Sequence, residues 1–299
     1  MRIVVTGANG SVGQNLLTHA ATNGDIQVVA TVRSARAASS LQGVAGVEVR
    51  VVTSDVAELA RAMAGASSVV HLAGILIESR TSTYAQANVA ATHTAIEACR
   101  LAGVAHLVLV SALGADVASS NRYRRSKGEG ERAVEQSGLD ATIIRTPILL
   151  GPGTAGAAAI VRSVTSGNAK LLGGGQYVMR PLDVDDLSSA ILTVCRRRPA
   201  GVHLHELAGP EPIAYRDLVG RAAAMMGRQV SFGTIPIWAA KTGAAIGSRL
   251  KGGGITPTVI DVITTSEHVA HNADADLGVT LTPLSGTLEK IVTAWRRTA

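Results

Sequence analysis

The sequence predicts an α/β protein, with a doubly wound parallel sheet followed by a smaller, mostly helical C-terminal lobe. In the first half, short β-branched runs alternate with Ala-rich helical segments, the order that parallel strands joined by crossover helices require. The runs are continuously apolar rather than alternating, as expected for strands that are covered on both faces. They are RIVVTG, QVVATVR, VEVRVVT, SVVHLAG, HLVLVSA and ATIIRTPILL.

Helical segments separate these runs and continue beyond them. After Gly151-Pro152-Gly153 the alternation stops, and the strand-like VHLHELA lies between helices before a mostly helical end. We therefore divide the chain into a sheet domain, 1–150, and a lobe, 151–299, of which about 183–208 returns to the sheet. The predicted helices are 11–23, 35–42, 56–65, 84–103, 121–137, 183–198 and 213–227.

Composition narrows the class of protein. The 299 residues are 46% hydrophobic and 17% charged, which is typical of a globular protein with one large domain and a lobe. No apolar run approaches the ~18 residues of a membrane span. The N-terminal MRIVVTGANG enters a strand directly, without a leader sequence. We therefore expect a cytoplasmic protein with no membrane span.

The charge distribution indicates the kind of partner. The net charge is +6, but the basic residues are mostly dispersed, with short clusters at 122–127 and 196–198. Aromatic residues make up only 2% of the chain. Because nucleic-acid surfaces combine a basic patch with stacking aromatics, we expect no nucleic-acid partner and an anionic small ligand instead.

The cysteines and histidines do not predict a metal site. Cys99 and Cys195 are far apart in helical patterns and are interpreted as small core residues in a reducing compartment. The histidines at 203 and 205, and those at 268 and 271, share a face in pairs. No further ligands complete a recognisable spacing, so we predict no metal.

A glycine-rich turn, TGANGSVG, joins the first strand to the first helix. Its three glycines are spaced three apart, which permits a tight turn and lets backbone N–H groups approach a pyrophosphate at the helix N-terminus. The strand–turn–helix context predicts a dinucleotide-binding Rossmann domain over 1–150. The predicted cofactor contacts in this turn are Gly7, Asn9, Gly10, Ser11, Val12 and Gly13.

The end of the second strand bears on which dinucleotide binds. An NAD site usually carries Asp or Glu there, whereas QVVATV ends in Arg33-Ser34. An arginine at this point can pair with a 2′-phosphate. The sequence therefore favours NADP, with NAD as the alternative.

Further motifs follow in a recognisable order. Ser54-Asp55-Val56 follows the third run, HLAG ends the fourth, NVAAT opens the next helix, VSALGA ends the fifth and RTPILLGPG ends the sixth. Together with Tyr123-x-x-x-Lys127, this order resembles the short-chain dehydrogenase/reductase superfamily, in its extended and atypical branches. The stretch SALGADVASSNRYRRSKGEGE is closest to the atypical branch, which includes bacterial relatives of the NADP-binding accessory subunit of respiratory complex I.

The resemblance implies which residues hold the cofactor beyond the phosphate loop and Arg33. The motif after the third strand would contact adenine, HLAG would line the cofactor, and RTPILLGPG would flank the nicotinamide. The residues that this adds are Asp55, Val56, Leu72, Ala73, Gly74, Pro147 and Ile148, together with Tyr123 and Lys127.

The resemblance also implies a catalytic set. Tyr123 and Lys127, at i and i+4, share one helix face. A tyrosine starts near a pKa of ~10, so Lys127 would favour the phenolate as well as hold the nicotinamide ribose. Ser111 would donate a hydrogen bond to the substrate oxygen, and Asn88 would order a water or the helix backbone.

These residues predict an NAD(P)-dependent oxidoreductase, a monomer or homo-oligomer, that acts on a small, largely apolar carbonyl or alcohol. Two alternatives stay open, a sugar-nucleotide epimerase or dehydratase and a non-catalytic NADP-binding accessory or redox-sensing protein. The chain lacks the longer loop and the V-Y-G motif of the former, although Arg145 and Arg180 could serve a diphosphate. The residues expected near the substrate are Ile75, Ile77, Leu113, Ile148 and Met179.

Overall fold

A seven-stranded parallel sheet forms the centre of the protein, in a computed structural model that describes residues 1–53 and 55–298. Three two-stranded sheets lie outside it. In chain order the strands are β1 (Arg2–Thr6), β2 (Gln27–Val32), β3 (Val47–Val51), β4 (Ser68–His71), β5 (Leu107–Ala112), β6 (Ala141–Thr146), β7 (Leu149–Leu150), β8 (Asn168–Leu172), β9 (Val178–Met179), β10 (Leu182–Asp183), β11 (Val202–Glu206), β12 (Ile213–Ala214) and β13 (Ser231–Ile235).

Helices cover the sheet and build most of the C-terminal lobe. A π-helical turn (Ala85–Ala90) precedes the fourth helix, and a 3₁₀ turn (Gly173–Gly175) follows β8. The α-helices are α1 (Ser11–Ala21), α2 (Ala35–Ser39), α3 (Val56–Met63), α4 (Ala91–Ala102), α5 (Arg122–Glu135), α6 (Ala155–Thr165), α7 (Val184–Arg197), α8 (Tyr215–Met225), α9 (Ile237–Lys251), α10 (Pro257–Thr264), α11 (Asp274–Leu277) and α12 (Leu284–Arg296).

The strand order creates a crevice at one point of the sheet. The order is β11-β6-β5-β4-β1-β2-β3, so the chain builds outward from β1 to β3 and then crosses back to β4. In register, Thr6 lies between Thr31 of β2 and His71 of β4. Ligands of doubly wound sheets bind where the strand order reverses, beyond the carboxyl ends of the strands. Here that point lies between β1 and β4.

Apolar side chains from both faces of the sheet enter separate clusters. On β1, Ile3 and Val5 pack with α1 and α7, whereas Val4 packs on the other face with α3 and α4. Both faces are therefore buried, which confirms the doubly wound prediction. A third cluster fills the C-terminal lobe between α6, α8 and α12.

The two cysteines lie on opposite faces of this sheet. Cys99 belongs to the α3–α4 side and Cys195 to the α1–α7 side, and both are buried and unbridged. Burial raises the pKa of each thiol to about 12, because the thiolate would lose its hydration. Both thiols are therefore protonated core residues.

Two elements beyond residue 150 contribute to the sheet layer. Strand β11 pairs in parallel with β6 at the sheet edge. Helix α7 packs beside α1, where Asn15 donates to the Asp185 carboxylate at 2.8 Å and Ser188 donates to Asn15 at 2.7 Å. These polar contacts bridge about 170 residues of sequence and hold the later part of the chain against the sheet.

The lobe contains elements that the sequence did not predict, among them helix α6 and a two-stranded parallel sheet. Strands β8 and β13 form a parallel pair, with Ser231 opposite Asn168 and Ile235 opposite Leu172. Residues 228–236 had been interpreted as part of a mostly helical end. β13 has no buried residue and only weak apolar alternation, so its pairing depends on a partner distant in sequence. No helix in the described ranges is both long and apolar enough to cross a bilayer.

Candidate cofactor and catalytic site

A cleft of about 600 Å³ opens at the carboxyl ends of β1, β2 and β4, at the point where the strand order reverses. Seven of the predicted cofactor residues line it, namely Gly7, Asn9, Gly10, Arg33, Leu72, Ala73 and Gly74. The cleft therefore brings together the phosphate loop, the end of the second strand and the HLAG motif.

The three glycines of the phosphate loop differ in what restricts them. Gly7 has φ +71°, and a Cβ there would lie 2.7 Å from the Ala73 backbone nitrogen. A Cβ at Gly13 would lie 2.7 Å from Cα of Ala8. Both glycines are thus required by the fold itself. Gly10 is different, because a Cβ would meet only the Gly7 carbonyl, at 3.4 Å.

Helix α1 begins directly after Gly10, at the edge of the cleft. Glycine has no side chain with which to cap the helix, and the first turn carries no acidic residue. The first N–H groups of an α-helix lack intrahelical acceptors, and here they belong to Ser11, Val12 and Gly13. A pyrophosphate would accept hydrogen bonds from them and would benefit from the helix dipole, so the loop fits a dinucleotide.

We expect Gly10→Val to fold and to lose NADPH binding. Gly10 has φ −70° and ψ 162°, which any residue adopts, so the cost falls on the ligand and not on the fold. The matched variant Gly13→Val is expected to unfold the protein, because its side chain would overlap the Ala8 backbone. Thermal unfolding and NADPH fluorescence titration measure the two effects. Normal NADPH affinity in a folded Gly10→Val protein would contradict this assignment of the loop.

Among the described residues, the motif that follows β3 forms the start of helix α3. Asp55 caps α3 by accepting a hydrogen bond from the Glu58 backbone N–H at 2.8 Å, and Val56 begins the helix. Ser54, the first residue of the motif, lies outside the described residues. The cleft is lined here by Val52, Thr53 and Leu59, and adenine contact by Asp55 and Val56 stays a prediction.

Ser111 and Lys127 meet at the end of β5. The Lys127 ammonium donates to the carbonyl of Val110 at 2.9 Å, one residue before Ser111. Ser111 is 4% exposed, and its hydroxyl is buried without a hydrogen-bond partner among the described residues. Because an unpaired buried hydroxyl costs free energy, it is a candidate for binding a ligand. Gly128 allows α5 to pack closely against the loop that follows β5, since a Cβ there would lie 2.5 Å from the backbone of Val117.

Asn88 joins the site through the loop that follows β4. Its side chain accepts from the Ile75 N–H at 2.8 Å, and its amide group donates to the Ile75 carbonyl at 3.1 Å and to Ser126 at 2.9 Å. Both amide hydrogens are therefore used within the protein. Asn88 positions the loop beside Gly74, where a Cβ would lie 3.2 Å from the Asn88 oxygen and 3.8 Å from the Lys127 nitrogen.

Tyr123 lies in the first turn of α5 and faces a second tyrosine. Asn121 caps the helix by accepting from the N–H groups of Tyr123 and Arg124, at 3.1 and 3.2 Å. The Tyr123 ring lies 5.8 Å from the Tyr84 ring, centroid to centroid. Burial, supported by Tyr84, raises the pKa of Tyr123 to about 12, and Arg124 opposes this rise.

This raised pKa differs from the sequence-based expectation that Lys127 lowers the pKa of Tyr123. The physical reason is desolvation: burial also lowers the pKa of Lys127 to about 8, with Glu131 opposing the shift. The Lys127 ammonium binds the Val110 carbonyl. Burial lowers the pKa of His71 to about 3, and the nearby Lys127 charge adds to this shift. His71 is thus a neutral core histidine, with its ring nitrogens 2.7 and 3.3 Å from the hydroxyls of Thr6 and Thr92.

The predicted catalytic residues Ser111, Tyr123, Lys127 and Asn88 do not line the 600 Å³ cleft, although Ile75, expected near the substrate, does. Pro147 and Ile148 follow β6, and Ile148 packs against the core of the C-terminal lobe. Met179 is 6% exposed within the same core, which does not suit the substrate-facing position expected of it. The roles of Pro147 and Ile148 beside the nicotinamide stay predictions.

Sequence reasoning missed residues 80–84, the second part of the loop between β4 and the π-helical turn. Thr81 and Ser82 line the cleft opposite Arg33, and Tyr84 contacts Tyr123. Arg124, which is half-buried beside Tyr123, was interpreted only as part of a basic cluster. Residues 80–84 carry no motif, and only their place in the loop after a cofactor-lining strand could have indicated them. No group of three or more His, Cys, Asp or Glu in the described ranges could hold a metal.

Comparisons with known proteins agree with this arrangement. The profile described as NAD(P)H-binding matches residues 7–172. A 4-hydroxy-2-methyl-3-oxo-4-farnesyl-3,4-dihydroquinoline-1-oxide ketoreductase of Stigmatella aurantiaca is 27% identical, over 84% of this chain and 80% of that protein. Subunit 9 of the NADH dehydrogenase [ubiquinone] 1 alpha subcomplex of Arabidopsis thaliana, a mitochondrial protein, is 30% identical, over 52% of this chain and 40% of that subunit.

The solved structures support the same fold. MoeE5 in complex with UDP-glucuronic acid and NAD covers the whole of both chains, with a TM-score of 0.77 and 22% sequence identity. The profile match spans more than half of the chain, and the resemblance to short-chain dehydrogenases/reductases of the extended and atypical branches is confirmed. The chain therefore belongs to the NAD(P)H-binding family of Rossmann-fold, NAD(P)-dependent oxidoreductases.

Proposed function

We propose that the protein is an NADPH-dependent reductase of a largely apolar carbonyl compound, or a dehydrogenase of the matching alcohol. Its catalytic residues are Ser111, Tyr123 and Lys127. The observation that carries this proposal is the Ser111 hydroxyl, buried and unpaired among the described residues, one residue from the carbonyl that Lys127 binds. A substrate oxygen would supply the missing hydrogen-bond partner.

Each residue has a distinct task. A bound NADPH supplies the hydride. The Ser111 hydroxyl donates a hydrogen bond that orients the substrate carbonyl, and the Tyr123 hydroxyl donates the proton that the oxygen gains on reduction. Lys127 has three N–H donors, of which one binds the Val110 carbonyl, so two are left for ribose hydroxyls. Asn88 is a positioning residue that holds Ile75 and the loop beside Gly74.

The pKa of Tyr123 favours reduction as the working direction. At about 12, it keeps the phenol protonated at neutral pH, so the side chain is ready to donate a proton and poorly suited to accept one. A lowered pKa would have favoured alcohol oxidation. Proton donation to a carbonyl oxygen that becomes an alkoxide stays favourable, because an alkoxide is the stronger base.

The two arginines that could serve a sugar-nucleotide diphosphate are both engaged within the protein. Arg145 binds the Glu131 carboxylate in a two-point contact, at 2.6 and 3.0 Å, and also donates to the Ala115 carbonyl at 2.9 Å. Arg180 donates to the carbonyls of Gly209 and Pro210. Neither guanidinium is free to form the fork that a sugar-nucleotide diphosphate needs. The Stigmatella relative, named as a ketoreductase of a farnesyl-bearing ketone, is consistent with this choice.

A second candidate is an accessory protein that binds the cofactor without turnover. The likeness to the plant NADH dehydrogenase subunit favours it.

Protection from thermal unfolding, with NADP⁺ present, tests the substrate class of the enzyme. We expect hydrophobic ketones and quinone-like compounds to raise the Tm and UDP-glucose to have no effect. A shift with UDP-glucose alone would favour an epimerase, and no reduction of any carbonyl in a broad panel would favour the accessory protein.

We infer that NADP(H) is the preferred cofactor. The exposed Arg33 borders the main cleft and an adjoining recess of about 410 Å³. No carboxylate in the described part of the chain pairs with its guanidinium, and the hydroxyls of Ser34, Thr81 and Ser82 line the same recess. An arginine with several hydroxyl donors is suited to a 2′-phosphate.

We expect Arg33→Ala to weaken NADP⁺ binding about tenfold or more and to leave NAD⁺ binding nearly unchanged, because a charge-assisted contact is worth ~1.5–3 kcal/mol. Arg36→Ala is the matched control, since Arg36 is exposed nearby but lines neither cavity. Calorimetry with both cofactors measures the effect. Equal losses for NADP⁺ and NAD⁺, or tighter binding of NAD⁺ to the wild type, would refute the preference.

We further propose that residues 1–150, together with about 183–208, bind the cofactor and that the rest of 151–299 bounds the substrate. The contact of α10 with the start of α5 supports this division, because Asn121 donates to the Thr258 carbonyl at 3.1 Å, two residues before Tyr123. The C-terminal lobe therefore contacts Asn121, the residue that caps the helix of the proposed proton donor.

A further inference from the structure

Helix α9 of the C-terminal lobe turns its bulkiest apolar side chains toward solvent. None of its residues is buried. Trp238, Ile246 and Leu250 are 73%, 58% and 76% exposed, whereas Ile237 and the four alanines of the helix are half-buried. A helix of a globular protein normally does the reverse and buries its large apolar residues. The outward face of α9 therefore has the character of a surface that contacts another apolar phase.

The exposed apolar residues form one surface. Positions 238, 246 and 250 fall on one side of a helix with 3.6 residues per turn, and Ile255, 57% exposed, follows just beyond the helix end. We call these four residues the α9 stripe. A tryptophan at one end with isoleucine and leucine along the length is typical of helices that lie in a membrane interface.

The charges on and beside α9 are mostly basic. Residues 236–260 contain no Asp or Glu, and their charged residues are Lys241, Arg249 and Lys251. Lys241 pairs with Asp261 at 2.5 Å, but Arg249 and Lys251 make no ion pair with any described residue. Arg80 packs directly over Gly252, so a third cation joins this end of the helix. Such a cluster is complementary to anionic lipid headgroups.

The α9 stripe is connected to the catalytic residues by a short path. The Gly254 N–H donates to the Glu78 carbonyl at 3.0 Å. The Glu78 carboxylate pairs with Arg122 at 3.1 Å and accepts from the Tyr84 N–H at 2.9 Å, and the Tyr84 ring contacts Tyr123. Gly254, which precedes Ile255 of the stripe, is therefore linked through Glu78 and Tyr84 to the proposed proton donor.

We propose that the α9 stripe docks the protein on the surface of an anionic lipid bilayer. Helix α9 has 15 residues and is about 22 Å long, shorter than the ~30 Å hydrocarbon core, so it lies in the interface with its apolar side chains inserted. Docking gives the site direct access to carbonyl compounds dissolved in the bilayer. The inference goes beyond the proposed reaction and does not depend on it.

Co-sedimentation with phosphatidylcholine vesicles, with and without phosphatidylserine, tests the proposal. We expect the wild type to bind vesicles that contain phosphatidylserine, and added salt to weaken this binding. The double variant Trp238→Ser/Leu250→Ser should bind at least about tenfold more weakly. Leu101→Ser is the matched control, because Leu101 is a 66% exposed leucine on α4, and it should bind like the wild type.

A second pair of variants tests the charges. Arg249→Gln/Lys251→Gln should weaken binding by about fivefold per charge, and Arg36→Gln should not. All of these side chains are exposed, so Tm and turnover on a water-soluble ketone should stay at wild-type values. Docking and catalysis can therefore fail separately.

Three results would overturn the proposal. The wild type could fail to bind either kind of vesicle. Leu101→Ser could reduce binding as much as the stripe variant does. The third is a wild-type dimer in solution that ignores vesicles and that Trp238→Ser/Leu250→Ser converts to monomers, which would assign the stripe to a second copy of the chain.

Discussion

Replacing Tyr123 with phenylalanine is expected to lower the rate of carbonyl reduction by about 10²–10⁴-fold, the usual contribution of a positioned proton donor. NADPH affinity should change little, because the phosphate loop and Arg33 line the cleft, whereas no residue of α5 is among its lining residues. The substitution removes only the hydroxyl, so the ring contact with Tyr84 is retained. Single-turnover kinetics with NADPH and an apolar ketone would isolate the chemical step from cofactor binding.

Tyr84→Phe is the matched control for this experiment. It removes the hydroxyl from the neighbouring ring. The hydrogen bond described for that hydroxyl is the one it donates to the Leu76 carbonyl, at 2.7 Å. We expect a modest loss of stability, about 1 kcal/mol, and nearly normal turnover. If Tyr123→Phe retained wild-type turnover, Tyr123 would leave the mechanism. If only Tyr84→Phe lost turnover, the proton donor would be the other tyrosine.

The sheet could be predicted from sequence because its signals are local. The first six strands were each predicted from a β-branched run, although Glu48 and Arg50 interrupt β3, and each of the first five is followed by a helical segment that starts near its predicted position. The pairing of β8 with β13 could not be predicted in this way. Asn168 and Ser231 are partners across about 60 residues, and neither strand buries enough apolar surface to mark itself in the sequence.

The site was predictable where backbone geometry limits the residue type. Gly7 needs a positive φ and close approach to Ala73, and Arg33 ends a strand at the crevice, so both carry information in the sequence alone. Side-chain electrostatics was not predictable, because it depends on burial. The i, i+4 spacing of Tyr123 and Lys127 suggested that Lys127 lowers the pKa of Tyr123. Desolvation instead raises the pKa of Tyr123 and lowers that of Lys127, which favours the neutral form of both. The cation that acts on Tyr123 is its sequence neighbour, Arg124.

Replacing Lys127 with methionine is expected to lower turnover by at least about 100-fold and, at neutral pH, to raise the stability of the protein without cofactor. Lys127 would otherwise hold the ribose and supply positive charge near the reacting oxygen. Burial lowers its pKa from 10.5 to about 8, so keeping the charge in the folded state costs up to about 3 kcal/mol below pH 8. The variant loses the hydrogen bond to the Val110 carbonyl, and the net gain should be about 1–2 kcal/mol.

The pH dependence identifies the source of this gain. Between about pH 8 and pH 10.5 the unfolded chain keeps a proton on Lys127 that the folded protein has released, so the stability of the wild type rises with pH across this window. Lys127→Met lacks the titrating group, so its advantage should be full below pH 8 and should disappear by about pH 10.5. Chemical denaturation of both proteins across this range measures the difference. A constant stability difference at every pH would show that Lys127 is not a buried charge, whereas a shrinking difference combined with lost turnover would mark it as a residue kept for function at a cost in stability.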